Sequence, residues 1–248
     1  MKILSVAGVL IAYLSSLLPV LAYAEDIVVF RATGRFGSQM VQEALDRGHT
    51  VYGVSRSPEN FTYTQDNFIA LRGNPTELES VREIVQGKDA VLVALGDRIA
   101  TDPEETSMNI TARNLVAALD HLGPDGPIVI PFGGGNTAAD SLEEVLQISA
   151  DRLNQPNSDR LRMIILSQWA TYDTYRNSNI NWVFLAPPRN ILGITGGEDK
   201  RTGKYRISVD GSIDQESDTA ISNSDIAVAA VDLVESREYS QERVIIAY

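Results

Sequence analysis

The 248-residue chain has no cysteine. Disulfides, thiolate nucleophiles and cysteine-ligated metals are therefore excluded, and the absence is compatible with an oxidising compartment. Histidine is almost as scarce. His49 and His121 are the only two, too few for a His-based triad or a zinc site, so no metal is expected. Positive charge is in short supply: 21 Lys and Arg stand against 33 Asp and Glu, a net charge of −12. Nucleic-acid binding needs clustered cations, so no nucleic-acid partner is expected, and docking on an anionic membrane surface is disfavoured. There is also no internal repeat, low-complexity tract or compositional break. A hydrophobic share of 44% and a charged share of 22% describe an ordinary globular chain of one domain.

One long apolar run is present. After Met1 and Lys2, residues 3–21 carry no charge; Pro19 and then Ala22-Tyr23-Ala24 precede the acidic pair Glu25-Asp26. A short basic start, an apolar stretch and a small-x-small site make residues 1–24 a secretory signal peptide and the protein an exported one, periplasmic or secreted. The run is long enough to span a bilayer if left uncleaved, so a membrane enters only as an anchor of that kind. No twin Arg precedes the run.

From residue 25 to 248 strand and helix patterns alternate. Short apolar runs at 27–30, 51–54, 68–71, 90–95, 128–132 and 182–185 are separated by helical stretches at about 36–47, 77–86 and 106–122, one or two within 138–178, and another at 224–235. Val- and Ile-rich strands alternating with helices indicate a doubly wound α/β fold, with a mostly parallel sheet covered by helices on both faces. The Gly- and Pro-rich stretch 187–203 reads as a long loop, and loops of that length are often functional.

The strongest local signal is Arg31-Ala32-Thr33-Gly34-Arg35-Phe36-Gly37, between the first strand and the first helix. Glycines at such a turn let backbone approach a diphosphate, while the helix N-terminus offers free N–H groups and the positive end of its dipole. Gly34 and Gly37 fill the second and third positions of a G-x-x-G-x-x-G fingerprint; Arg31 stands at the first, where a glycine ordinarily makes the tight turn. Arg31 either crowds a cofactor or pairs with its phosphate. The second strand ends in Ser55-Arg56, without the acid that would hold a ribose 2′-hydroxyl. An Arg there suits a 2′-phosphate, with Arg35 as a second cation, so NADP is favoured over NAD.

These stretches resemble the atypical short-chain dehydrogenase/reductase group of NAD(P)-binding Rossmann proteins that includes the NADPH-dependent flavin reductases and biliverdin IX-beta reductase. The likeness is carried by residues 27–37, by Glu43-Ala44-Leu45 and Gly48-His49-Thr50-Val51, and by VLVALGDR at 91–98, TARNLVAAL at 111–119, NWVFLAPP at 181–188 and TGKYRISVD at 202–210. The resemblance implies that Thr33, Gly34, Arg35, Phe36 and Gly37 hold the diphosphate and Arg56 the 2′-phosphate. It sets Asn74 beside adenine, where an acid is usual, Leu95-Gly96 along the ribose, and Ala186-Pro187 near the nicotinamide. It also implies a Ser after the fifth strand and a His after the Pro-Pro. This chain has Gly133 and Arg189 there, and neither is a general acid or base at physiological pH.

Arg189 is thus the candidate at the reactive end, as a cation that draws an anionic acceptor; otherwise it is a solvent-facing loop residue. The Tyr-x-x-x-Lys signature is missing. Its nearest approximation, Tyr172-Asp173-Thr174-Tyr175-Arg176, reads as an amphipathic helix. Glu43 reads as part of a solvated helix face, and Ser222-Asn223-Ser224-Asp225 as a helix N-cap. The functional expectation is an NAD(P)H-dependent oxidoreductase of flavin-reductase type passing hydride to a small planar acceptor. The alternative is an exported, non-catalytic Rossmann domain, favoured by Arg31, by the missing Ser and His, and by the leader.

Overall fold

The computed structural model describes residues 24–96, 102–134, 137, 141–156, 158–209, 213 and 219–248. Apart from Ala24, the expected leader lies outside the described residues, as do Asp97, Arg98, Gly135 and Asp210. Among the described residues no helix is long and apolar enough to cross a membrane.

Five parallel strands form the central sheet: β1 (Asp26–Phe30), β2 (Thr50–Ser55), β3 (Phe68–Arg72), β4 (Ala90–Val93) and β5 (Ile128–Pro131), in the order β3-β2-β1-β4-β5. Parallel bridges from Val129 to Trp182 and from Phe132 to Leu185 carry it on to β6 (Val183–Ala186). The six expected strands are thus all present, and the reversal of strand order between β1 and β4 opens a crevice at their carboxyl ends. Four later strands escape sequence reading: β7 (Asn190–Leu192), β8 (Arg206–Ser208), β9 (Ala220–Ser222) and β10 (Glu242–Ala247). β10 adds to β6 in parallel and β8 pairs antiparallel with β10.

Alternate side chains of β1 feed two separate cores, as period-two geometry requires. Ile27 and Val29 pack with Met40 and Ala44 of α1 (Arg35–Asp46) and with Ile226 and Ala230 of α7 (Asn223–Ser236). Val28 and Phe30 face the other way, toward α2 (Leu78–Val85), α3 (Ser107–Leu119) and α6 (Asp159–Arg176). Every residue of β4, β5 and β6 is buried, the signature of a sheet covered on both faces. The segment around Tyr172 is helical, as expected: Tyr172 is buried within α6 and Arg176 pairs with Asp173.

The stretch 187–203 is not the long loop expected. It contains β7 (Asn190–Leu192), which pairs with β9, and it is pinned at its far end. Asp199 accepts from the Ser224 amide at 2.8 Å. Asp225 accepts from the amides of Thr202 and Gly203 and from the hydroxyls of Thr202 and Tyr248. Ser222 caps α7 as expected, its Oγ accepting from the Asp225 amide. Glu43 is a correction as well. It is 4% exposed, not solvated, because Arg201 reaches back from this stretch to grip both its oxygens at 2.7 Å while Arg47 holds one at 2.8 Å.

Burial works to raise the carboxyl pKa of Asp225, but the hydrogen bonds from Thr202, Tyr248 and Gly203 outweigh it and hold the group below the usual range. A carboxyl with a lowered folded-state pKa stabilises fully above its unfolded value and loses that contribution as the pH falls through the folded one. Asp225→Asn is therefore expected to cost about 1–3 kcal/mol at pH 7. Urea unfolding should show the gap from wild type narrowing below about pH 4.

Candidate functional site

The corner between β1 and α1 is built around missing side chains. A Cβ on Gly37 would lie 2.3 Å from the Arg31 carbonyl oxygen, so the first turn of α1 sits directly against the strand end. Gly34 donates its amide to the same carbonyl at 2.8 Å. It also provides the N-cap of α1 in an extended conformation, with no side-chain cap bond and no acid in the first turn. By contrast α3 and α7 are capped by Thr106 and Ser222 hydroxyls. The leading N–H groups of α1 thus have no side-chain acceptor, the arrangement that favours an anion.

Arg31 completes the corner with φ at 60°. That left-handed conformation costs a non-glycine residue about 1–2 kcal/mol, and it is why glycine is usual there. The Arg31 side chain lies over Gly34 and donates from Nη1 to the Gly96 carbonyl at 2.7 Å, spanning the carboxyl ends of β1 and β4.

The crevice has two halves that share Arg31, Leu95 and Gly96. The larger, about 550 Å³, is lined among others by Thr33, Ser55, Arg56, Asn74 and Ser107. The smaller, about 300 Å³, takes Arg35, Phe36, Met108, Phe132, Gln168 and Ile194. Phe36 and Phe132 pack with ring centroids 4.2 Å apart and form an aromatic wall of this half. Among the described residues neither lining contains a carboxylate, and Arg31, Arg35 and Arg56 form no ion pair. In a chain of net charge −12 the crevice lining is locally cationic.

Most of the sequence-predicted residues therefore converge on one crevice: Thr33, Arg35, Phe36, Arg56, Asn74, Leu95 and Gly96 line it, with Gly34 and Gly37 shaping its floor. Asn74 arrives with its amide already engaged. Its Oδ1 accepts from the amide and hydroxyl of Thr76, and its Nδ2 donates to Glu77. Pro187 is buried and outside both linings.

Arg189 is also absent from both linings, and it is not solvent-facing either. It is half-buried, with Nη2 3.4 Å from the Ser149 Oγ and Nε without a hydrogen-bond partner. Burial first, then the neighbouring Arg152, pushes its pKa below the ordinary guanidinium value. Gly133 does line the smaller half, and no side chain fits there. A Cβ would come within 2.1 Å of the Phe184 ring, which explains why a serine is missing.

Sequence reading missed Gln168, Met108, Phe132 and Ile194, because residues far apart in the chain carry no local signal of a shared wall. Among the described residues, no group of three or more His, Asp or Glu is placed to hold a metal.

The fold and crevice define a protein of the Rossmann dinucleotide-binding class. The chain belongs to the NAD(P)H-binding family, whose model matches residues 32–237. It is similar to the protein YwnB of Bacillus subtilis, 24% identical over 220 residues that cover 88% of this chain and 95% of YwnB. Among solved structures it is similar to a proposed epimerase from Bacteroides thetaiotaomicron, with a TM-score of 0.69 and 26% identity over 91% of this chain and 97% of the other. A proposed NADH-flavin reductase from Streptococcus pneumoniae gives a TM-score of 0.66 and 21% identity over 90% and 99%, a likeness of fold.

The glycine corner can be checked apart from any ligand. Gly37→Ala is expected to lower stability by about 1–3 kcal/mol, since the methyl group meets backbone rather than a movable side chain. Thermal unfolding of the variant measures it, and an unchanged midpoint would contradict the close approach.

Proposed function

We propose that the protein is an NADP(H)-dependent reductase that delivers hydride to a small planar acceptor, flavin-like in shape. The observation that carries this reading is the crevice lining: Arg31, Arg35 and Arg56, with no carboxylate among the described residues, beside an uncapped helix N-terminus. Those residues fit a dinucleotide with an additional phosphate. Amides of α1 and the glycine turn would hold the diphosphate. Arg56, at the end of a β2 strand that lacks an acid, would hold the 2′-phosphate. Leu95 and Gly96 would run along the ribose. When bound, the cofactor supplies the hydride, and the protein supplies orientation and charge.

The lining of the smaller half supports hydride transfer rather than proton chemistry. Among its described residues the polar side chains are Arg31, Arg35 and Gln168, and none of these is a general acid or base near neutral pH. Phe36 and Phe132 offer an apolar aromatic wall for a ring. The acceptor would take its proton from solvent. Epimerisation or dehydration need a placed acid–base pair, and the described residues of that lining include none.

The exported, non-catalytic alternative keeps one specific observation in its favour, the Arg31 guanidinium lying between the two halves. Export itself is part of the proposal. Glu25, the first residue after the expected cleavage point, is built into the fold through its carboxylate, which pairs with Arg237 at 2.7 Å.

Thermal unfolding of the purified protein with NADPH, NADH and FMN separates the readings. NADPH at a hundred times its Kd should add about 2.7 kcal/mol, and adding FMN should then oxidise it. Arg56→Ala should cut the preference for NADPH over NADH by about tenfold, the loss of one charge-assisted contact. Silence with both coenzymes would leave the non-catalytic domain.

A further inference from the structure

We infer that Arg31 is a latch for the diphosphate: its guanidinium rests on the Gly96 carbonyl in the free protein and transfers to the diphosphate of an arriving dinucleotide. This rests on the NADP(H) reading of the crevice. It assigns to one residue of this chain a task that the turn otherwise leaves to backbone amides.

Three observations point to it. The first is conformational. Arg31 stands at φ 60°, where glycine would be unstrained. A bulky residue kept in a strained conformation at a ligand crevice is the kind of outlier that marks a working site.

The second is electrostatic. The Arg31 stem lies against Gly34, with Cγ and Nε 3.1 and 3.2 Å from where a Gly34 Cβ would be, so its positive charge sits by the N-terminus of α1. That end of a helix repels cations. Arg35 adds a second positive charge on the same turn, and among the described residues no carboxylate pairs with either. Such a cation is misplaced until an anion joins it.

The third is the partner. Gly96 offers a neutral carbonyl through a single hydrogen bond of 2.7 Å, whereas a phosphate offers charge-assisted and potentially bidentate contacts to the same planar fork. Exchange therefore runs toward the anion. Because Arg31 borders both halves of the crevice, any molecule that bridges them passes its guanidinium. The group recognised is the diphosphate, not adenine or nicotinamide.

The test is calorimetric titration of the purified wild-type protein, Arg31→Met and Arg31→Gly, with two probes. NADPH contains the diphosphate; adenosine 2′-monophosphate fills the adenosine end without it. The latch predicts that both variants bind NADPH at least tenfold more weakly while the affinity for adenosine 2′-monophosphate changes less than twofold. Arg31→Gly should also unfold at a higher temperature than wild type without ligand, which guards against loss of folding as the cause.

NADPH affinity unchanged or improved in Arg31→Gly would overturn the latch and make the guanidinium an obstruction. Parallel weakening of both probes would overturn it too, since Arg31 would then act on the whole crevice. Binding of adenosine 2′-monophosphate without NADPH in the wild type would sink the latch but leave the adenosine half standing. No binding of either probe would remove the NADP(H) reading as well.

Discussion

Everything in the crevice depends on how closely the backbone of α1 approaches the end of β1. Gly37 has no room for a methyl group against the Arg31 carbonyl, and this contact aims the first turn of the helix at the space beyond the strand ends. Moving the helix outward would turn its free N–H groups away and carry Phe36 off Phe132. The two cores that grip α1 and the sheet make this corner rigid. Met40, Val41 and Ala44 lie at or below 1% exposure beneath the sheet. The precision of the corner is therefore a property of the packed interior.

On that scaffold the distribution of charge matters more than its total. The chain is strongly acidic, yet the acids lie elsewhere: in ion pairs at the opposite end of the strands, as with Glu43 and Glu235 around Arg47, or on exposed helix faces such as that of Glu79. The crevice keeps unpaired arginines. Separation of this kind focuses a positive potential in one cleft while the surplus negative charge keeps the remainder soluble.

The fold was legible because its signals are local. Six apolar runs, the Gly34 and Gly37 spacing and the αL glycine Gly48 after α1 each speak within a few residues, and parallel strands buried on both faces leave a continuous Val/Ile pattern. The short strands β7, β8 and β9 were not legible, since three residues each carry no periodicity, and the longer β10 was missed as well. Glu43 shows the same limit in the core. Nothing near it in sequence announces Arg201, 158 positions on.

In the crevice, the residues after β1, β2, β3 and β4 could be read because they follow strand ends in chain order. The wall of the smaller half could not, for it is assembled from α1, α3, the residues just after β5, α6 and the segment after β7. Arg189 and Pro187 were expected near the reacting ring from their place after β6, but side-chain direction decides such matters. Arg189 turns toward Ser149 instead. Gly133 was read as the loss of a serine; the Phe184 ring supplies the steric reason.

The central claim is that a cationic fork at the first position of the glycine turn serves nucleotide binding instead of preventing it. A crystal structure of the protein grown with NADP tests this most directly. With the latch engaged, the diphosphate lies over the N-terminus of α1, Arg31 Nη atoms within about 3 Å of its oxygens and no longer on Gly96, with Arg56 at the 2′-phosphate. A nucleotide confined to the larger half, with the Arg31 guanidinium still on the Gly96 carbonyl and the smaller half empty, would contradict it.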